Sequence, residues 1–326
     1  METTNATDKP ETAGARAMKA LKDALKSSIK TILFLLKIMV PVSLGVSLFA
    51  WLGALEVVAA WFKPVMSLVG LPGDAAIALI TGAFLTNYSA IAAMNALGTI
   101  GLREATIIAI MCLTAHNLIV ETAVMKKAGS SSIKMAALRL GASFVMGFLF
   151  NLVLPRDMGA YASGAEAAAV RPEFLAMLAA WAVSTFWLFV KIIVLVVLIM
   201  VAQAFMKEFK VAQLLSKLFA PLMTVFGLPG KTSFLWIVVN IVGYAYGAAV
   251  ITDEIERGGM TKTEADLFNH HAAMSHSQFE DTFLYVAVGV PVLWITLPRL
   301  ALAIVVVWLE RARRSLFRAS FRVGTH

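Results

Sequence analysis

The sequence predicts an all-α polytopic membrane protein built from two inverted repeats, and three observations carry that prediction. The first is composition. Of 326 residues, 60% are hydrophobic and only 15% charged, with a mean hydropathy of +0.80. A soluble domain is about 45–50% apolar and about 25% charged. One soluble core cannot hide this excess, because a globule of this size still needs a wetted surface. A soluble enzyme, a disordered chain and a fibrous chain are therefore excluded. The second observation is an internal repeat, set out below. The third is the placement of charge. The net charge is +8, and the basic residues sit in short segments between apolar runs, where topology signals lie. The single cysteine, Cys112, falls inside an apolar run and leaves no disulfide framework and no thiolate metal site.

From the N-terminus, residues 1–21 are assigned as a disordered cytoplasmic tail, polar and aperiodic through residue 15. No cleavable leader is expected, because no short apolar stretch with a small-residue cleavage site follows closely. Overlapping the tail, residues 16–30 place Met18, Leu21, Ala24, Leu25 and Ile29 on one face and lysines on the other. That pattern predicts an interfacial amphipathic helix. The first repeat is drawn over 22–155, an extracytoplasmic linker over 156–175 and the second repeat over 176–314. A basic cytoplasmic tail then covers 315–326. Both basic ends, including Arg311, Arg313, Arg314, Arg318 and Arg322, read as anchors on an anionic membrane surface rather than as nucleic-acid contacts.

The repeat is read directly. FKPVMSLVGLPG (62–73) and FAPLMTVFGLPG (219–230) agree at seven of twelve positions, at an offset of 157. TAHNLIVET (114–122) answers MSHSQFEDT (274–282) at an offset of 160, and Arg139-Leu140 answers Arg299-Leu300 at the same offset. Lys37 answers Lys191, each just inside an apolar run where its stem can snorkel. A solenoid needs about three or more short repeats. Two long repeats in a membrane chain point instead to a transporter-like fold.

Apolar runs fall near 31–52, 74–95, 104–125, 135–155, 187–206, 232–252, 265–285 and 289–309. Treating 74–95 and 232–252 as re-entrant hairpins puts twenty basic residues inside and only Lys63, Arg103, Arg156 and Arg171 outside. The positive-inside rule favours that arrangement over eight full crossings. Each repeat is then an interfacial helix, a re-entrant hairpin and three spanning helices, with both termini cytoplasmic. Gly82, Thr86, Asn87, Tyr88 and Ser89 interrupt the first hairpin, and Asn240, Gly243, Tyr244, Tyr246 and Gly247 the second. Broken backbone at membrane depth is tolerated where protein or a wet cavity satisfies it. The two GLPG sequences read as topological turns. No Gly-Lys-Ser/Thr follows at phosphate-loop spacing.

The ionisable residues inside the apolar runs are the candidates for function. Glu121 and Arg139 flank one helix–helix turn by equal lengths, as Asp281 and Arg299 flank another, so each pair should meet at equal depth. Two structural ion pairs are expected, Glu121–Arg139 and Asp281–Arg299. His116 and His276 occupy equivalent places, and an inverted two-fold axis would bring them toward one another. A shared binding site is expected from His116, Asn117, Asn87, His276, Ser277 and Tyr244. Imidazole titrates near physiological pH and binds metals, so proton coupling and metal transport both stay open. His270 and His271 have no repeat partner and read as features of the second half alone. No HExxH sequence and no Ser/His/Asp arrangement is recognisable, so neither catalysis nor a resident cofactor is expected.

The pattern F-x-P-x-M-x-x-x-G-L-P-G, followed by an interrupted hairpin and H-N-L-I-V-E-T, resembles the Gate, or nucleoside-recognition, family. The resemblance covers most of the chain, as two fused Gate domains similar to spore maturation proteins A and B. In plan it is similar to the permease part of ferrous-iron transporters and to concentrative nucleoside transporters. The resemblance implies a multi-pass protein of the inner (plasma) membrane that carries a small polar solute or ion, with a nucleoside-like compound and a divalent metal both open. A non-transporting membrane scaffold is the alternative. The partners implied are the lipid bilayer and the solute, not nucleic acid, and a homo-oligomer is left open.

Overall fold

The computed structural model describes residues 12–97, 100–161 and 173–323. Those residues are almost wholly helical, and among them the only strand-like pairing is one bridge between Gly101 and Ala160. Among the described residues, five helices are long and apolar enough to cross a membrane, or six if one bent pair counts as a single span. The chain is a multi-pass membrane protein.

The first half runs α1 (Ala13–Leu52), α2 (Ala54–Leu68), α3 (Ala76–Phe84), α4 (Asn87–Leu97), α5 (Leu102–Ala115), α6 (Leu118–Lys127) and α7 (Ser132–Val153). The second half repeats that order as α8 (Phe174–Glu208), α9 (Val211–Val225), α10 (Ser233–Ile241), α11 (Tyr244–Glu256), α12 (Lys262–Met274), α13 (Gln278–Ala287) and α14 (Val292–Val323). Even the single 3-10 turns recur, at Gly73–Ala75 and Gly230–Thr232.

One expectation changes at the N-terminus. Residues 1–11 lie outside the described residues, but 13–21, assigned to a disordered tail, are the first turns of α1. The helix forms because 13–40 contains no proline and one glycine, Gly14. Thr12 caps it, accepting the Ala15 N–H at 3.3 Å. Arg16 then pairs with Glu208 at 2.7 Å, fastening the start of α1 to the end of α8. At 1.5 Å per residue, a helix of this length is about twice the bilayer core. The amphipathic segment is therefore the extension of a spanning helix and not a separate element. The linker expected over 156–175 is described only in part, and α8 already begins at Phe174. The basic C-terminal segment is helical through Val323.

The two GLPG turns share one geometry. Gly70 and Gly227 take φ of 71° and 70°. The next residue's N–H reaches back to a carbonyl in the last turn, Leu71 to Met66 at 3.0 Å and Leu228 to Met223 at 2.8 Å. A left-handed glycine followed by that bond is the standard close of a helix. Gly73 is needed for another reason: a Cβ there would sit 2.0 Å from the Ala59 carbonyl oxygen. In the first half the chain bends by 92° between α2 and the Gly73–Phe84 segment.

Each expected hairpin is a pair of short helices in contact, α3 with α4 and α10 with α11. A helix of nine residues spans about 14 Å, half the bilayer core, so neither α3 nor α10 crosses alone. The breaks fall at Leu85–Thr86 and at Val242–Gly243, where Gly243 has φ 108°. The expected second span of the second half differs. Residues 265–285 divide into α12 and α13, and neither is long and apolar enough to cross a membrane, whereas Leu102–Lys127 is. The cause is polar load: Asn269, His270, His271, His276, Glu280 and Asp281 all fall within it. The halves interlock, since one apolar core takes Leu284 and Tyr285 from α13 and the other takes Met125 and Met135 from α6 and α7.

Candidate functional site at two broken helices

Helix α5 stops at Ala115. His116 is extended (φ −88°, ψ 161°), Asn117 is left-handed (φ 45°), and α6 restarts at Leu118. In the second half α12 stops at Met274, Ser277 is left-handed (φ 49°), and α13 restarts at Gln278. A left-handed non-glycine residue is unfavourable by of order 1–3 kcal/mol and persists only where its surroundings hold it. Here the same device holds both. The Asn117 N–H donates to Gly82 O, and the Ser277 N–H to Val239 O, each at 2.9 Å. Gly82 and Val239 are themselves 157 positions apart, the offset of the hairpin repeat.

The two buried arginines serve the same breaks. Arg139 donates its Nε–H to Thr114 O at 3.0 Å, and Arg299 donates from Nη2 to His276 O at 2.7 Å. Each guanidinium thus meets carbonyls freed where a helix ends and complements the negative end of that helix. Both side chains are fully buried.

The histidine rings meet between the halves. Their centroids are 5.2 Å apart, and the Tyr244 ring lies 5.5 Å from that of His276. Each ring is fixed by its own helix. His116 Nδ1 lies 3.0 Å from Cys112 O, and His276 Nδ1 lies 2.6 Å from Ala272 O. A carbonyl only accepts, so each Nδ1 carries the proton and each Nε2 is the free nitrogen of the neutral ring. Both Nε2 atoms point at Glu121. The distances are 3.1 Å from His116 Nε2 to Oε1 and 3.3 Å from His276 Nε2 to Oε2. Asp281 Oδ2 stands 3.5 Å from His116 Nε2. Arg139 Nη1 holds Glu121 Oε2 at 2.5 Å. Glu280 adds a third carboxylate nearby, accepting from Tyr88 Oη at 2.9 Å. The layer holds three carboxylates and two guanidiniums.

Glu121 and Arg139 make the expected contact, but Asp281 and Arg299 do not. Arg299 reaches past Asp281 to His276 O, with Gln278 Oε1 at 3.5 Å. The equal spacing about the turn left out the competing acceptors at the helix break. Gln278 stands where the first half has Leu118, so only Arg299 meets a side-chain acceptor there. Asp281 turns to His116 instead, and its Oδ2 has no hydrogen-bond partner.

The other expected site residues divide. Asn117 and Ser277 contribute through the backbone. Tyr244 packs on His276 and donates its hydroxyl to Asn269 Oδ1 at 2.8 Å. Asn87 is buried beside Tyr285, whose hydroxyl donates to its Oδ1 at 3.3 Å, and among the described residues it makes no hydrogen bond to either histidine. Glu280, Gln278, Tyr285 and Asn269 escaped the sequence reading. Comparison of the halves selected against them, because their partners are Val120, Leu118, Met125 and Ala109. A carboxylate inside an apolar run was the signal available for Glu280. His271 packs on Phe226 with centroids 4.8 Å apart, and His270 joins an Asp266/Glu310 network at the other end of α12.

That network ties the halves together. Ser130 donates to Asp266 at 2.6 Å and Lys134 to Glu310 at 3.0 Å. Arg314 bonds both acids. Asn269 donates to Ala128 O and to Ser130 Oγ, both at 2.9 Å. Nearby, Glu264 closes the N-terminus of α12. The Thr261 N–H and Lys231 beside it hold its carboxyl below the usual carboxylate range.

Residues 32–132 match the Gate family, described as nucleoside recognition. The Gate segment runs from within α1 to the start of α7, so it contains His116, Asn117 and Glu121. The chain is similar to the uncharacterized membrane protein YvoD of Bacillus subtilis (strain 168), at 28% identity over 282 residues, 86% of this chain and 90% of the relative. No solved structure matches it.

Proposed function

We propose that the protein is a transporter or permease that moves a small polar solute or ion across the inner (plasma) membrane. In this reading the two halves are inverted repeats that rock against each other around the layer between α5–α6 and α12–α13. One observation carries it: equivalent breaks in two helices deliver one histidine each to a single buried, charged site. Secondary transporters bind cargo near the midplane where discontinuous helices end. A scaffold does not require interrupted helices or a shared ionisable layer, and a catalytic nucleophile has no candidate here. The Gate description supports including nucleosides among the solutes to be tried. The positive-inside rule places both termini, and the 126–134 and 254–262 loops, in the cytoplasm, with the 96–103 and 156–173 loops outside.

The test is reconstitution into liposomes and uptake from a panel of nucleosides, organic anions and divalent metals. Uptake of one panel member should exceed that of empty vesicles and fall at least tenfold in the His116→Ala/His276→Ala double variant. Well-folded protein that moves no member of the panel overturns the reading. So does uptake unchanged by the double variant.

A further inference from the structure

The layer at the two breaks has a chemical mismatch. His116 Nε2 faces Glu121 Oε1 at 3.1 Å and Asp281 Oδ2 at 3.5 Å, and His276 Nε2 faces Glu121 Oε2 at 3.3 Å. All four are acceptors when the rings are neutral, and acceptors at that distance repel unless a positive charge lies between them. Arg139 answers only one oxygen of Glu121. His276 Nε2 and Asp281 Oδ2 are buried with no hydrogen-bond partner.

We propose that this layer is a binding site for a divalent transition-metal ion, held by His116 Nε2, His276 Nε2 and the Glu121 carboxylate, with Asp281 beside them. The inference rests on the reading of the paired histidines as the cargo site and names the class of cargo. Three features agree with it. First, one ligand atom each from His116, Glu121 and His276 lies within 4.8 Å of the others, all inside a buried layer. The two imidazole nitrogens flank one carboxylate, 3.1 Å from its Oε1 and 3.3 Å from its Oε2, which assembles a His2Glu donor set of the kind zinc accepts. Second, each imidazole is prepared for coordination. Its Nδ1–H is committed to a backbone carbonyl, which fixes the tautomer and aims Nε2, the arrangement that metal-ligating histidines use. Third, two imidazoles with carboxylates favour ions such as zinc over magnesium or calcium, which take oxygen ligands. Arg139 and Arg299 hold the helix ends from which the ligands project, and Arg139 also orients Glu121.

The other acid–histidine cluster, Asp266, His270 and Glu310, does not share this character. Arg314, Arg313 and Lys134 already occupy its carboxylates.

The experiment uses the full chain, purified in detergent without a histidine tag and stripped of metal. Zinc is titrated in by competition with a chromophoric chelator, with magnesium as control, and cobalt is added to record visible d–d absorption. We expect about one zinc per chain, no comparable magnesium binding and a cobalt band of low-symmetry N/O coordination. His116→Gln and His276→Gln should each weaken zinc by at least about 100-fold, while His271→Gln leaves it unchanged. Variants are scored only when they elute monodisperse, and Glu121→Gln supplies an independent ligand change. Zinc affinity no better than that of magnesium overturns the inference, as does affinity insensitive to all three ligand variants. The two readings separate. Zinc that binds but does not cross a proteoliposome membrane, with no other panel solute crossing, overturns transport and leaves the site. Histidine-dependent uptake of another solute without metal binding overturns the metal and leaves transport.

Discussion

Glu121 and Arg139 are in direct contact, and Asp281 and Arg299 are not, although the sequence treats the pairs alike. Paired substitutions should expose that difference. Arg139 is fully buried and its partner Glu121 nearly so, at 2.5 Å. Removing one member strands the other in low dielectric, a loss of about 3–5 kcal/mol. Near the upper end of single-domain sizes, a change of 1 kcal/mol moves the midpoint by about 2 °C. Glu121→Gln or Arg139→Gln should therefore lower the apparent midpoint by about 6–10 °C in a fixed detergent at a fixed scan rate. The double variant strands no charge within this pair. Its loss should fall short of the sum of the singles by about 1–3 kcal/mol, the coupling expected of residues in contact. Asp281→Asn and Arg299→Gln should instead be additive within about 0.5 kcal/mol, because Arg299 spends its donors on His276 O and Gln278. The assay is a fluorescence-detected melt of the six variants beside the unsubstituted protein. Equal coupling in the two pairs, or none in Glu121/Arg139, refutes the geometry.

The remaining predictions concern other elements. Gly73→Ala should cut the yield of folded protein severely, since its Cβ meets the Ala59 carbonyl at 2.0 Å, whereas Gly230→Ala should be tolerated, its nearest neighbour being 3.7 Å away; size-exclusion profiles compare them. Glu264 has a lowered folded value, so its contribution is present above the unfolded value of about 4.3 and is lost as pH falls through the folded one. Melts from pH 7 down to pH 3 should therefore show an acid decline that is shallower in Glu264→Gln. In whole cells, Lys127→Cys, exposed in the 126–134 loop, should label with a membrane-impermeant thiol reagent only after permeabilisation and Ala96→Cys without it, in an otherwise Cys112→Ala chain. The opposite pattern refutes the proposed orientation. A Ser130→Cys/Asp266→Cys crosslink should hold the halves together and abolish uptake, with recovery on reduction.

The repeat was legible because its matches are chemical: GLPG needs a left-handed glycine in both halves, and each His–carboxylate segment serves the same break. The pairing of His116 with His276 followed from position alone. The breaks themselves were not legible. Neither 114–118 nor 274–278 contains glycine or proline, and the left-handed residues are stabilised by Gly82, Val239, Arg139 and Arg299, all distant in sequence. The continuity of α1 was hidden for a related reason. Its lysine-rich start has the pattern of a surface helix, and the Arg16–Glu208 pair that fastens it to the end of α8 joins residues far apart in sequence.

The tethering of each imidazole to a carbonyl four residues back has a mechanical consequence. His116 and His276 are not free side chains at the ends of their helices but the last rungs of them. Anything that grips both Nε2 atoms also pulls on the final turns of α5 and α12, and through Asn117 and Ser277 on Gly82 and Val239 in α3 and α10. The length of two helices and the presence of an occupant are then one variable. Fraying either helix end by a turn would swing its ring out of reach, and filling the layer would tighten both ends together. Amide hydrogen exchange at residues 112–118 and 272–278 would register such a change as a paired slowing, far from any surface the occupant could shield.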